Sequence, residues 1–192
     1  VMDAVGRISA GFGECFVVGG AESMTRAPFV MSKGSTPFGR DSKLYDTTFG
    51  WRFPNPKMKE LFPLLGMGET AEEVAEQYKI SRKDQDEFAL KSHLKAHAAW
   101  EEGKFNDEVL PIEVKLRKSS HMVTRDEGPR PDTNKEVLGK LRTVFREGGT
   151  VTAGNASQMN DGASALVIVS EDFLKKHNLT PLVEVTGAAV RG

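Results

Sequence analysis

The sequence predicts an α/β fold: a sheet interrupted by an inserted, mostly helical lobe. Three observations predict it. Two short apolar runs of strand length, residues 15–18 and 163–169, lie near opposite ends of the chain. Between them run two segments with helical spacing of apolar residues and recognisable start and stop signals. Ahead of those segments, Pro28, Pro37, Pro54, Pro56 and Pro63 fall within 40 residues and forbid long regular elements. A chain of 192 residues is large enough for one core, or for one core and a satellite lobe.

Charge and composition narrow the classes. With 39% hydrophobic residues, 28% charged residues and a formal net charge of -1, the chain reads as a soluble globular protein. That balance argues against a nucleic-acid or membrane-surface partner. The run 163–169 is far too short to cross a bilayer, and no charged-then-apolar signal segment opens the chain, so a cytoplasmic location is expected. The single cysteine, Cys15, can form neither an internal disulfide nor a zinc cluster, and its apolar neighbours predict a buried core thiol.

Taken in order, residues 1–11 read as the later turns of a helix, with Val1, Ala4, Val5 and Ile8 on one face and Gly11 as its stop. It begins without a capping residue, as a cut helix would. Residues 15–18 predict a buried strand ending at Gly19-Gly20. The proline-rich stretch 25–63 is a long excursion of the kind that carries function. Thr70 with Glu73 predicts a capping box, followed by the stripe Ala71, Val74, Ala75, Tyr78. Ser81 with Asp84 starts a second helix carried by Phe88, Leu90, Leu94, Ala98 and Trp100 and stopped at Gly103. Residues 109–116 alternate as a strand, 117–131 are polar, and 135–141 suit one or two helical turns. Asn160-Asp161-Gly162 predicts a turn into a second buried strand, 163–169. Ser170 then caps a short helix through Lys176, and 182–185 predict a further strand.

Most short motifs have bland readings. Gly19-Gly20-Ala21-Glu22-Ser23-Met24 lacks the spacing of a dinucleotide loop. His93 and His97 share a helix face but sit among Lys91, Ser92 and Lys95, which predicts a solvated face and no metal site. Asn155-Ala156-Ser157 and Asn178-Leu179-Thr180 match glycosylation acceptors by chance in a chain with no other secretory feature. Arg117, Lys118, Arg125 and Arg130 suit either phosphates or a solvated face. No nucleophile, base and orienting group stand together, so residue patterns alone reach an α/β domain with an inserted lobe and a ligand-binding character.

Three stretches read together resemble the thiolase family, which makes or breaks the carbon-carbon bond of 3-oxoacyl-CoA thioesters. They are VVGGAESMTRAPFVM (17–31), GMGETAEEVAEQYKISRKDQDEFALKSHLKAHAAWEEGKFNDEVLPIEV (66–114) and GTVTAGNASQMNDGASA (149–165). TTFGWRFPNP (47–56) additionally resembles the 3-oxoadipyl-CoA branch. The resemblance implies a layered thiolase-like α/β fold. It assigns 1–24 to the first part of the N-terminal thiolase domain, 25–146 to the inserted loop domain and 147–192 to the domain's return.

The resemblance also implies a mechanism. In the family a cysteine thiolate at the start of the helix before GGAES takes the acyl group, a histidine activates it, an oxyanion hole stabilises the thioester oxyanion, and CoA accepts the acyl group. The match begins partway along that helix, so the nucleophile falls before Val1, and the histidine and second cysteine belong to a half beyond Gly192. The chain by itself is therefore expected to be inactive, with no catalytic residue assigned. What it carries is a CoA site: Met67 and Gly68 at the mouth of the pantetheine tunnel, Arg130 near the nucleotide end, and Ala153 to Ser157 along the pantetheine arm. CoA is expected as a substrate with no tightly bound cofactor, and the whole protein as a homo-oligomer. Gln158, where many relatives carry glycine, and Gly66, where some carry histidine, are departures. The alternatives are a CoA-binding or oligomerisation module and a non-catalytic, carrier-type relative.

Overall fold

The computed structural model describes residues 1–190. In chain order the elements are α1 (Met2–Ser9), β1 (Cys15–Glu22), β2 (Phe29–Met31), β3 (Leu44–Asp46), α2 (Pro56–Leu61), α3 (Met67–Gln77), α4 (Arg82–Glu101), β4 (Ile112–Lys115), β5 (Ser120–Val123), α5 (Lys135–Gly139), β6 (Gly162–Val169) and α6 (Glu171–Lys176). They fall into two compact units: Val1–Pro28 with the residues from Asn160 onward, and Phe29–Met159.

In the first unit α1 ends as its sequence predicts. Gly11 takes φ +76°, Phe12 N–H donates to the Arg7 carbonyl (2.9 Å) and Gly11 N–H to that of Ile8 (3.0 Å), a Schellman closure that only a residue free to adopt positive φ makes cheaply. The chain then enters β1, which pairs antiparallel with β6 from Cys15 opposite Val169 to Glu22 opposite Gly162. Alternation places Phe16, Val18, Leu166 and Ile168 on one face and Cys15, Val17, Val167 and Val169 on the other. These strands are not buried as expected: Val17 is 76% and Val167 67% exposed, and Cys15 is an exposed thiol. Two strands with the eight-residue α1 against them are too small a body to cover both faces of the ladder.

At the mouth of that ladder the Asp161 carboxylate accepts from Thr25 N–H (2.9 Å) and Thr25 Oγ1 (2.7 Å). No local turn forms at 160–161; Asp161 serves instead as a long-range latch. Those two bonds, that from the backbone first, hold Asp161 below the ordinary carboxylate range. Ser170 caps α6 as predicted, its Oγ accepting from Phe173 N–H at 3.0 Å. Residues 182–185 are irregular, not a strand; Leu182 and Val183 are 98% and 82% exposed, and among the described residues no strand pairs with them.

The second unit starts with the three-residue pair β2 and β3, followed by α2, whose N-cap Asn55 accepts from Lys57 N–H at 3.0 Å and whose first residue is Pro56. Short elements of this kind are what the prolines allow. Helix α3 begins earlier than the Thr70 start read from sequence: Gly66 is its N-cap, the Glu69 carboxylate accepts from Gly66 N–H (2.7 Å), and Thr70 lies inside the first turn with its hydroxyl on the Gly66 carbonyl. Helix α4 starts at Ser81 as expected, with Ser81 Oγ accepting from Asp84 N–H, and closes at Gly103 (φ +69°). The alternating run 109–116 yields only β4, because Val109 N–H still closes a turn onto the Phe105 carbonyl; its partner β5 comes from the stretch read as merely polar.

The packed faces of α3 and α4 also differ from the apolar stripes. Tyr78 and Phe88 are 68% and 77% exposed, while the buried residues are Ala75 and Ala89 together with the charged Glu72 and Asp86. Leu138 of α5, Val151 and the fully buried Thr152 complete this core. Residues 147–159 belong to this compact unit.

Candidate functional site

The segment 149–157 carries glycines, threonines and an asparagine at close spacing, and the structure shows what most of them do. The buried Glu72 carboxylate of α3 accepts from Thr150 N–H (2.9 Å to each oxygen), Thr150 Oγ1 (3.0 Å) and Val151 N–H (2.8 Å). Burial pushes this carboxyl up, but the bonds from Val151 and Thr150, with the nearby Arg146 charge, outweigh it and leave Glu72 below its ordinary range. It is held as a carboxylate. Gln85 of α4 adds a bond from its amide to Thr150 Oγ1 at 2.9 Å.

A second clamp uses Asp86. Arg82 Nε donates to one oxygen (2.8 Å) and Asn155 Nδ2 to the other (3.0 Å), while Asn155 Oδ1 accepts from Thr152 N–H at 2.7 Å. Arg82 also donates to the carbonyls of Leu138 (2.6 Å) and Leu141 (3.0 Å), so one guanidinium fastens α5 and the segment to α4. A Cβ on Gly149 would fall on the Glu72 carboxyl, and one on Gly154 would strike the Leu138 and Leu141 methyls. The small residues allow the backbone to lie against the lobe helices. What projects to solvent from the clamped segment is Ala153 and Ser157.

The other predicted residues belong to the same unit. Met67 opens α3 with 85% exposure, and Gly68 is packed so closely on the Phe145 ring that a Cβ would overlap it. The Arg130 N–H donates to His93 Nδ1 at 3.1 Å, and its side chain is exposed. One turn along α4, Arg125 lies 5.3 Å over the Trp100 ring, pairs with Glu101 at 3.0 Å and reaches His97 Nδ1 at 3.2 Å. The two histidines thus serve as acceptors that fasten the segment bearing Arg130. Gln158, next to Ser157, lies against Gly128 of that segment, where a Cβ would land on its amide.

Sequence reasoning singled out neither Glu72 nor Asp86. Glu72 stands beside Glu73, and Asp86 stands between Gln85 and Glu87, so both read as parts of solvated faces; the available signal was a surplus of threonine and asparagine downstream whose backbone donors needed acceptors.

The class of the chain is given by its structural likeness: the crystal structure of human mitochondrial 3-ketoacyl-CoA thiolase in complex with CoA matches over 94% of this chain and 44% of that one, with a TM-score of 0.75 and 42% identity. The likeness gives the chain a thiolase-like α/β fold. Residues 1–172 match the family described as thiolase, N-terminal domain, and the chain belongs to the thiolase family. It is 49% identical to a beta-ketoadipyl-CoA thiolase of Pseudomonas aeruginosa and 45% identical to the 3-oxoadipyl-CoA/3-oxo-5,6-dehydrosuberyl-CoA thiolase of Escherichia coli, each over the whole chain. The chain spans about half the length of those relatives, 49% in both cases. Among the described residues, no helix is long and apolar enough to cross a membrane.

Proposed function

We propose that this chain supplies the CoA-facing lobe and part of the N-terminal domain of a cytoplasmic, homo-oligomeric thiolase that transfers acyl groups between 3-oxoacyl-CoA and CoA. The reading makes 25–146 the inserted loop domain and 147–192 the return of the N-terminal domain. The observation that carries it is the clamped segment 149–157. Its polar groups are spent on Glu72 and Asp86, and its exposed side chains are small. A flexible, amide-bearing pantetheine chain needs a rigid wall of that kind, close enough for backbone contact. Arg130, with its backbone fixed to α4 and its guanidinium exposed, suits a phosphate at the nucleotide end. Met67 and Gly68 form the mouth.

Acyl transfer itself needs a thiolate at a helix N-terminus or beside a base. Cys15, the sole thiol of this chain, instead opens strand β1 opposite Val169, so the chain by itself is expected to show no thiolysis. CoA acts here as substrate with no tightly bound cofactor. Isothermal titration of the purified chain with CoA tests the site. Binding is expected, weakened roughly tenfold by Arg130→Ala through loss of a charge-assisted phosphate contact. Absence of heat with the unaltered chain refutes the site, and an unchanged affinity in the variant removes Arg130 from it.

A further inference from the structure

Residues 124–134 join β5 to α5 as an irregular strap fastened to α4. Flanked by Pro129 and Pro131, Arg130 carries the only backbone N–H of the run 129–131, and it donates that N–H to His93 Nδ1 at 3.1 Å. A residue followed by proline is restricted to extended backbone, so this run is stiff and its seat on α4 decides where Arg130 stands. Five residues earlier, Arg125 reaches His97 Nδ1 at 3.2 Å, pairs with Glu101 at 3.0 Å and lies over the Trp100 ring. Between these two points Gly128 packs against Gln158, the residue after Ser157. The strap therefore links α4 to the clamped segment.

Both rings accept through the same atom. A backbone N–H and a guanidinium can only donate, so each Nδ1 offers a lone pair and the ring proton sits on Nε2. Protonation at Nδ1 turns each acceptor into a donor. It sets an imidazolium against the Arg130 N–H at one point and against the Arg125 guanidinium at the other. It also gives His97 a charge that competes for Glu101, 3.7 Å away, which Arg125 holds. The other charges of the joined surfaces are Asp126, Glu127 and Asp132 of the strap, Lys91 and Lys95 on α4, and the pair of Lys135 with Glu87 at 3.1 Å. Between about pH 5.5 and 8 imidazoles change charge, whereas ordinary carboxylate, ammonium and guanidinium groups do not.

We infer that His93 and His97 are positioning residues that hold Arg130 on α4 only while their rings are neutral, so that acid releases the strap and weakens CoA binding. The inference rests on the CoA site proposed above. Titrated with CoA at about pH 8 and about pH 5.5, the unaltered chain is expected to lose about tenfold more affinity than His93→Gln/His97→Gln, whose amide oxygens accept at either pH. The phosphate monoester of CoA takes up a proton near about pH 6, which weakens both proteins alike and cancels in the comparison. In NMR spectra of the unaltered chain without CoA, the Arg130 amide proton is expected to shift upfield as pH falls, with the midpoint of the His93 ring. His121→Gln, on β5, is expected to keep the pH dependence of the unaltered chain. Equal pH dependence in the unaltered and doubly substituted chains, its loss in His121→Gln, or an Arg130 amide that does not follow the His93 ring overturns the positioning role while CoA binding stands. Failure of CoA to bind at about pH 8 overturns the CoA site and its control by the strap, whichever way the Arg130 amide moves.

Discussion

Replacing Glu72 by alanine is expected to unfasten the segment 149–157 and to destabilise the lobe more than any surface change. In the structure the carboxylate is 3% exposed and satisfies the N–H groups of Thr150 and Val151 and the Thr150 hydroxyl. Truncation strands two backbone donors in a buried setting, at about 1–3 kcal/mol each, and leaves a cavity, for a total of about 3–5 kcal/mol. Both tryptophans of the chain, Trp51 and Trp100, lie within Phe29–Met159, so their fluorescence follows the unfolding of this unit. With a urea slope of about 2 kcal/mol/M, the midpoint should fall by about 1.5–2.5 M. Glu72→Gln keeps the shape but turns an amide donor toward donors and should fall between. Glu73→Ala is the control: its partner Arg146 is reached at the surface, and its loss should cost under about 1 kcal/mol. If Glu72→Ala moved the midpoint no further than Glu73→Ala, the clamp would be refuted.

Gly154→Ala places a methyl against Leu138 and Leu141 and should cost about 1–3 kcal/mol by the same urea assay, whereas Gly139→Ala meets open space and should be neutral or gain up to about 1 kcal/mol. Glu87 takes ion pairs from Lys91 at 2.9 Å and Lys135 at 3.1 Å, and those hydrogen bonds and charges hold its pKa at about 2. Because the folded value is depressed, its stabilising contribution is complete above the ordinary value near 4.5 and is lost as pH falls toward 2. A carboxyl-carbon NMR titration should show that low midpoint, and Lys135→Met should raise it.

What sequence reading captured was local chemistry. Gly11, Ser81, Gly103 and Ser170 each end or start a helix where predicted, because a cap depends on a few neighbouring residues. The two apolar runs do form the β1 and β6 ladder. What it missed was set by tertiary contact. Tyr78 and Phe88 lie on stripes with helical spacing yet remain exposed, while the buried positions beside them belong to Glu72 and Asp86, whose acceptors answer donors about 70 residues away. Periodicity counts apolar residues and does not register a carboxylate that is buried because a loop requires it. The Thr70 start failed for a related reason: two overlapping capping signals were present, and Glu69 reached Gly66 first. Sequence reading assigned the small residues of 149–157 one purpose where the structure shows two. Gly149 and Gly154 serve packing, and only Ala153 and Ser157 are left facing outward.

The antiparallel pairing of β1 with β6 separates two kinds of inheritance. Register in that ladder is carried by residues 15–22 and 162–169, with the Thr25 and Asp161 latch at its mouth, and does not depend on the length of chain between them. The clamped segment, Arg130, Met67 and Gly68 all lie within Phe29–Met159. Insertions, deletions or exchange of lobe sequence can therefore remodel the clamps and exposed side chains of the lobe while the sheet keeps its pairing, so lobe surface and sheet architecture can drift apart as independent traits.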